Sequence, residues 1–223
     1  MKTGLDLETE HWIYKLEAQL SPSERQLLSG LDSPAAIQTF LNTVPYSEDK
    51  FYRCPLRLLQ DRKGHCFDGA LFAAMALRRL GYPSLILELI PNERDDDHIL
   101  ALFKQHGCWG AAAQSNFSGL RYREPVYRSL RELVMSYFEN FFNSAGEKTL
   151  HGYRGPVHLK TFDRLDWICS DAGLETLAAG MDRYRVHSIL TDEMAAGLSR
   201  TDERSLKAGL LEANPQGLFK VPD

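Results

Sequence analysis

Cysteine is scarce in this chain. Four occur in 223 residues, Cys54, Cys66, Cys108 and Cys169, and no two form a Cys-x-x-Cys pair. Disulfide-framed secreted domains are shorter and much denser in cysteine, so no disulfide framework is expected. The close ligand pairs of a zinc site are also missing from Cys54, His65, Cys66, His98 and Cys108, so no metal is expected. Charge of one sign is lacking too. Lys and Arg number 26 against 30 Asp and Glu, a net charge of −4, which gives no electrostatic case for nucleic acid or an anionic membrane. No apolar run approaches the ~18 residues that would span a bilayer, and residues 1–10 hold no apolar signal core. Repeats, low-complexity linkers and a Gly-rich phosphate loop are absent. What remains, at 43% hydrophobic and 25% charged residues, has the composition of a soluble globular domain. It is expected in a reducing cytoplasm, with free thiols and no cofactor.

The chain divides into three segments within one compact unit. Residues 1–50 read as helical. Trp12, Ile13, Leu16 and Leu20 recur at helical spacing. Ser21-Pro22-Ser23-Glu24 is a capping box with Pro at the first helical position, and Ser33-Pro34 repeats the start signal. Residues 43–63 read mostly as loop. Residues 51–160 form the core and 161–223 a mainly helical extension. Residues 126–142 are expected to be helical, with Leu130, Leu133, Val134, Tyr137, Phe138 and Phe141 as a core stripe. The sequence from Gly152 to Pro156 reads as a break, and 157–159 as a further strand. Residues 189–198 read as helix, and the end of the chain, with Pro215, Gly217 and Pro222, as frayed.

The densest chemical signal begins at Gly64-His65-Cys66. From Cys66 an Ala-rich amphipathic pattern runs to Gly81, which is placed to stop a helix. Cys66 therefore falls in the first turn, where free amides and the helix dipole favour a thiolate. Arg62 and Lys63 push the same way, and a thiolate is a nucleophile. His65 is a candidate for shaping the pocket or packing the turn. Asp68 is a candidate cap for the first turn.

Three strand-like runs follow: Pro83 to Ile90, His98 to Phe103, and Cys108 to Ala113. The last two are joined by the hairpin turn Lys104-Gln105-His106-Gly107. A His opening a strand beside the Cys helix is a candidate base for the thiol.

Together, Gly64-His65-Cys66 with its helix, Leu77-x-x-Leu80-Gly81-Tyr82-Pro83, Asp97-His98 and Gly107-x-Trp109 resemble the transglutaminase-like superfamily, relatives of papain-like cysteine proteases. The phrases Asp96-Asp97-His98-Ile99, Ser115-Asn116-Phe117-Ser118-Gly119-Leu120 and Arg131-Glu132-Leu133-Val134-Met135 look like a bacterial group within it. The Arg62–Phe67 stretch also looks like the entry of arylamine N-acetyltransferases.

The resemblance covers about half the chain. It implies an α+β fold with the Cys-bearing helix packed on an antiparallel sheet and with helices added at both ends. It also implies Cys66 as nucleophile, His98 as base, and a third orienting residue four positions past Trp109. That position holds Ala113, and Asn116, Gln114 or Ser115 is the alternative. The implied chemistry is acyl transfer or amide hydrolysis through a Cys66 thioester, on a peptide or a small amide or acyl substrate. The missing acid leaves open a second expectation, a protein that keeps the fold for binding without catalysis.

Overall fold

The computed structural model describes residues 7–221; residues 1–6, which carry most of the stretch read for a signal core, and Pro222 and Asp223 lie outside it. The helix starts follow their capping chemistry. Helix α1 (Leu7–Glu17) buries Trp12 and Leu16. In α2 (Pro22–Ser29) the Ser21 hydroxyl accepts from Glu24 N–H and the Glu24 carboxylate accepts from Ser21 N–H at 2.7 Å, the reciprocal box that the sequence spells. In α3 (Pro34–Leu41) Ser33 caps Ala36. The stretch read as loop contains a further short helix, α4 (Pro55–Asp61), which buries Leu56, Leu58 and Leu59 after a Pro at its first position.

Helix α5 (Cys66–Arg79) is the centre of the molecule, with all but its last residue buried. It ends as Gly81 requires. Gly81 has φ +89, Gly81 N–H donates to the Arg78 carbonyl and Tyr82 N–H to the Leu77 carbonyl, each at 3.0 Å, a Schellman closure.

Six strands form one antiparallel sheet: β1 (Leu85–Pro91), β2 (His98–Gln105), β3 (Cys108–Ala112), β4 (Arg123–Tyr127), β5 (Leu150–His158) and β6 (Val186–Ser188). Their spatial order is β4-β3-β2-β1-β5-β6. The β2–β3 hairpin turns on His106 and Gly107, both at positive φ (50 and 82), the geometry of a two-residue turn whose twist matches the strands.

On one face Ile86, Ile99, Ala101, Phe103 and Ala112 pack with α5 and the N-terminal helices. On the other, Leu87, Leu89, Leu100, Leu102 and Ala113 pack with Leu133, Val134, Tyr137 and Phe141. The remaining helices are α6 (Leu130–Met135), α7 (Leu174–Met181), α8 (Asp192–Ala196) and α9 (Glu203–Gly209). The α+β class is thus present, with the Cys-bearing helix lying on an antiparallel sheet.

Three local expectations change. Residues 126–142 are not one helix: β4 ends at Tyr127, α6 covers six residues, and a 3-10 turn follows. The supposed break from Gly152 to Pro156 lies inside β5, where a bulge opposite the stretch from Ile86 to Glu88 takes up the extra residue. The end of the chain is packed as far as Phe219.

Candidate functional site

Cys66 opens α5 on the wall of an open cleft of about 660 Å³. The loop before α4 brings Tyr46 alongside, because Tyr46 bridges to Gly64 in strand fashion and Ser47 N–H donates to the Gly64 carbonyl at 3.1 Å. Cys66 is 8% exposed, and its thiol donates to the Asp97 carbonyl at 3.9 Å. The Ile99 amide and the Tyr46 side chain are its other polar neighbours. Burial pushes the Cys66 thiol far up, and the carboxylates of Asp97 and Asp96 push it further. The loss of hydration outweighs the helix dipole, an effect of roughly 0.3–1 kcal/mol at a surface. Cys66 is therefore a neutral thiol. Burial also raises Cys54 to about 12 and Cys169 to about 11, so Cys66 is not set apart from them as a thiolate.

The start of α5 is braced from below. Asp68, fully buried, accepts from Arg53 N–H at 2.8 Å and from His65 N–H at 3.2 Å. Asp68 thus caps the amide of His65, just before the helix, and not the first-turn amides expected of it. The Arg53 guanidinium, 1% exposed, binds Asp61 at 2.9 Å, Asp49 and Ser47, with Asp68 at 3.8 Å. Burial raises Asp68 to about 7 in spite of these partners. His65 lines the cleft, edge-on to Tyr52, with Nε2 3.6 Å from Asp68. Burial and then Arg53 hold it down at about 4, so it is a neutral imidazole.

The expected Cys66–His98 pair is not formed. Along β2 the odd positions Ile99, Ala101 and Phe103 face α5, while His98 pairs with Leu89 and shares the parity of Leu100 and Leu102, which face away. Its Nε2 lies 2.7 Å from the Leu120 carbonyl, and burial lowers it to about 4. His98, Ser115 and Asn116 line a smaller adjoining cavity of about 50 Å³, which shares Tyr46, Asp96 and Asp97 with the cleft.

The alternatives for the third position are used elsewhere as well. Ser115 Oγ accepts from Phe117 N–H at 3.1 Å. Gln114 donates to the Val44 carbonyl, and its Oε1 is buried without a partner. Asn116 bonds the backbone of Asn214. Ala113 is buried among the apolar residues of the far face. Replacing His98 with Ala is expected to cost roughly 1–2 kcal/mol, since the Leu120 carbonyl loses its buried partner. The rate of Cys66 alkylation is expected to stay within about twofold of wild type. Chemical denaturation and mass-resolved labelling check the two parts.

No protein-family model matches this chain, and no curated protein matches it. Three solved structures of Legionella pneumophila LapG are similar over part of it. The EGTA-treated form shows 14% identity over 50% of this chain and 72% of that one, with a TM-score of 0.35. The calcium-bound form shows 16% over 48% and 71%, at 0.36, and a third LapG structure 15% over 48% and 70%, at 0.35. A likeness of this size identifies no activity.

The cleft beside Cys66 is acidic instead of basic. Glu48, Glu88, Asp96, Asp97, Glu175 and Asp182 line it, with Lys50 and Arg154 as cations, while Asp49 is paired to Arg53 and Lys63. Arg154 Nη1 is shared between Glu88 at 2.7 Å and Asp182 at 2.8 Å. Loss of hydration raises Glu88, Asp96 and Asp97, and Asp97 is raised further by its carboxylate neighbours. Asp96 and Asp97 are nonetheless exposed to solvent, which weakens this shift.

Of these residues only Asp96 and Asp97 figured in the sequence motifs, as the residues before His98. The signal for Glu88 was a lone charge inside the apolar run of β1. Among the described residues, no group of His, Cys, Asp and Glu is placed to hold a metal ion. No helix among them is long and apolar enough to cross a membrane.

Proposed function

We propose that the protein is a binding protein on a transglutaminase-like core, whose cleft takes a cationic ligand such as a Lys- or Arg-bearing peptide. The observation that carries this reading is that His98 does not meet the thiol while carboxylates line the cleft on which Cys66 opens. The His that would activate Cys66 bonds Leu120 on the far face; the sulfur meets the Asp97 carbonyl instead, and the Asp96 and Asp97 side chains line the same cleft. A thiol held neutral by burial and by negative neighbours is a poor nucleophile. The same carboxylates, short of cations, favour a ligand that brings positive charge.

The pH dependence follows from the raised carboxyls. Glu88, Asp96 and Asp97 keep their protons to higher pH than free carboxyls do, and a cation binds the ionised form. Affinity for a basic peptide is thus expected to strengthen as pH rises from 6 to 8, and to weaken with salt. Fluorescence anisotropy with a Lys/Arg-rich peptide and an Asp/Glu-rich peptide of equal length tests this. The basic peptide should bind at least about tenfold more tightly, equivalent to about 1.4 kcal/mol. The Asp96→Asn, Asp97→Asn double variant should remove most of that preference. Equal binding of the two peptides sinks the reading.

One observation favours a thiol acyltransferase or amidase instead: Cys66 sits at the first position of α5, in the cleft wall. On that reading the Cys66 sulfur displaces the amine or thiol of an acyl donor, which leaves with the thiol proton; water or a second amine then takes the acyl group from the thioester and restores the thiol. A covalent adduct detected by mass spectrometry in wild type and absent in Cys66→Ala would favour it over pure binding.

A further inference from the structure

The end of the chain closes one side of the same cleft. Helix α9 is anchored where Ser118 Oγ donates to the Ala208 carbonyl at 2.7 Å. Beyond it two asparagines make the hold. Asn116 Nδ2 donates to the Asn214 carbonyl at 2.9 Å, and Asn116 Oδ1 accepts from Asn214 N–H at 2.8 Å. Asn214 Nδ2 in turn donates to the Tyr46 carbonyl and to the Glu48 carboxylate, both at 3.1 Å.

The 3-10 turn Pro215–Gly217 then lays Gly217 on Tyr46, so closely that a Cβ would meet the ring at 2.9 Å. Tyr46 is the side chain against Cys66. Gln216, Gly217, Leu218 and Phe219 line the cleft with Cys66, and Gly217 and Phe219 also line the cavity of His98. None of residues 214–219 is fully buried. The segment is therefore fastened by a few polar contacts at one point, with little apolar burial behind them. Segments of that kind open at a small fraction of the cost of global unfolding.

We propose that residues 214–219 are a displaceable strap that gates Cys66 and the adjoining end of the cleft, with Asn116 as its latch. Closed, the strap presses on Tyr46 and limits access to the thiol. Open, it frees Tyr46, the Cys66 side of the cleft and the polar groups of Asn116, which in the closed state read the N–H and C=O of a single backbone residue. An incoming extended peptide offers Asn116 the same pair of groups, so ligand entry and strap release compete for one side chain. This inference rests on the reading of the cleft as a peptide site. The test uses a neutral, small reagent, so the gate is measured whether or not a basic peptide binds.

Iodoacetamide labelling of Cys66, followed by mass spectrometry on the whole 223-residue chain, is compared in wild type, Asn116→Ala and Asn214→Ala, with Cys66→Ala assigning the signal. Hydrogen exchange of residues 216–219 is followed in parallel. Both Asn variants are expected to raise the Cys66 rate by about tenfold, with faster exchange in the strap and unchanged rates at Cys54, Cys108 and Cys169. Faster exchange with a Cys66 rate at the wild-type value overturns the gate. Unchanged exchange overturns the latch. Should Asn116→Ala not fold, Asn116→Asp decides the latch, because it keeps the shape and the acceptor for Asn214 N–H but loses the donor to the Asn214 carbonyl.

Discussion

Replacing Arg53 with Ala is expected to destabilise the protein by about 3–5 kcal/mol, the cost of leaving a buried charge without its partner. Arg53 is 1% exposed and stands at the junction of three segments. Its guanidinium ties the loop bearing Ser47 and Asp49 to Asp61 at the end of α4, and it is the cation nearest to Asp68 under the first turn of α5. Without it, Asp68 keeps its bonds to the Arg53 and His65 amides but faces a buried site with no compensating charge.

The sign of the pH dependence follows. Asp68 in the folded protein is already raised to about 7, above its ordinary value of 3.8. A carboxyl raised on folding binds more protons in the native state, so stability falls as pH climbs from about 4 through the folded value. In the variant that value moves higher still. The penalty measured by urea denaturation is therefore expected to be larger at pH 8 than at pH 5. Arg53→Lys keeps the charge but loses the fork that reaches Asp49, Asp61 and Ser47 together, and should fall between the two. A loss below about 1 kcal/mol in Arg53→Ala at pH 8 would show that this network does not brace the site.

The signals that proved legible are those whose chemistry is local. Ser21-Pro22-Ser23-Glu24 closes its own capping box, Ser33 caps its own helix, and Gly81 closes α5 with its own backbone. The hairpin at His106-Gly107 likewise needs only its two positive-φ residues. Cys66 at the start of α5 was readable for the same reason.

The face on which His98 lies was not. A strand covered on one side alternates apolar with polar residues, and its parity can be read. From Ile99 to Phe103, β2 is apolar at every position because α5 covers one face and α6 with its neighbours the other. Nothing in His98-Ile99-Leu100-Ala101-Leu102-Phe103 says which set meets the Cys helix. The acidic cleft was hidden in another way. Glu88, Asp97 and Arg154 come from three different strands or their ends, and their meeting depends on the pairing of Glu88 with both Ile99 and Arg154. The strap was misread because Pro215 and Gly217 carry the composition of a loose end. The bonds that hold it reach back 98 residues to Asn116.

Gly69 bears on the same positioning, and replacing it with Ala is expected to cost about 3 kcal/mol, the upper end of what overpacking does. An exposed helical Gly→Ala change would gain up to about 1 kcal/mol from helix propensity, so the two effects have opposite sign and packing must win for this prediction to hold. The geometry favours packing. A Cβ on Gly69 would lie 2.2 Å from Gln114 Cβ and 3.3 Å from its Cα, so the clash cannot be relieved by swinging the end of a flexible side chain. Gln114 in turn is tied to Val44, two residues before Tyr46. The Ala methyl therefore pushes α5 away from the end of β3 and disturbs the loop that sets Tyr46 against Cys66. Denaturant unfolding should report the lost stability, and alkylation of Cys66 should quicken because its cover is displaced. A Gly69→Ala protein as stable as wild type would mean that the contact between α5 and Gln114 is loose enough to take a methyl, and the tight seating of the Cys66 turn on the sheet would have to be abandoned.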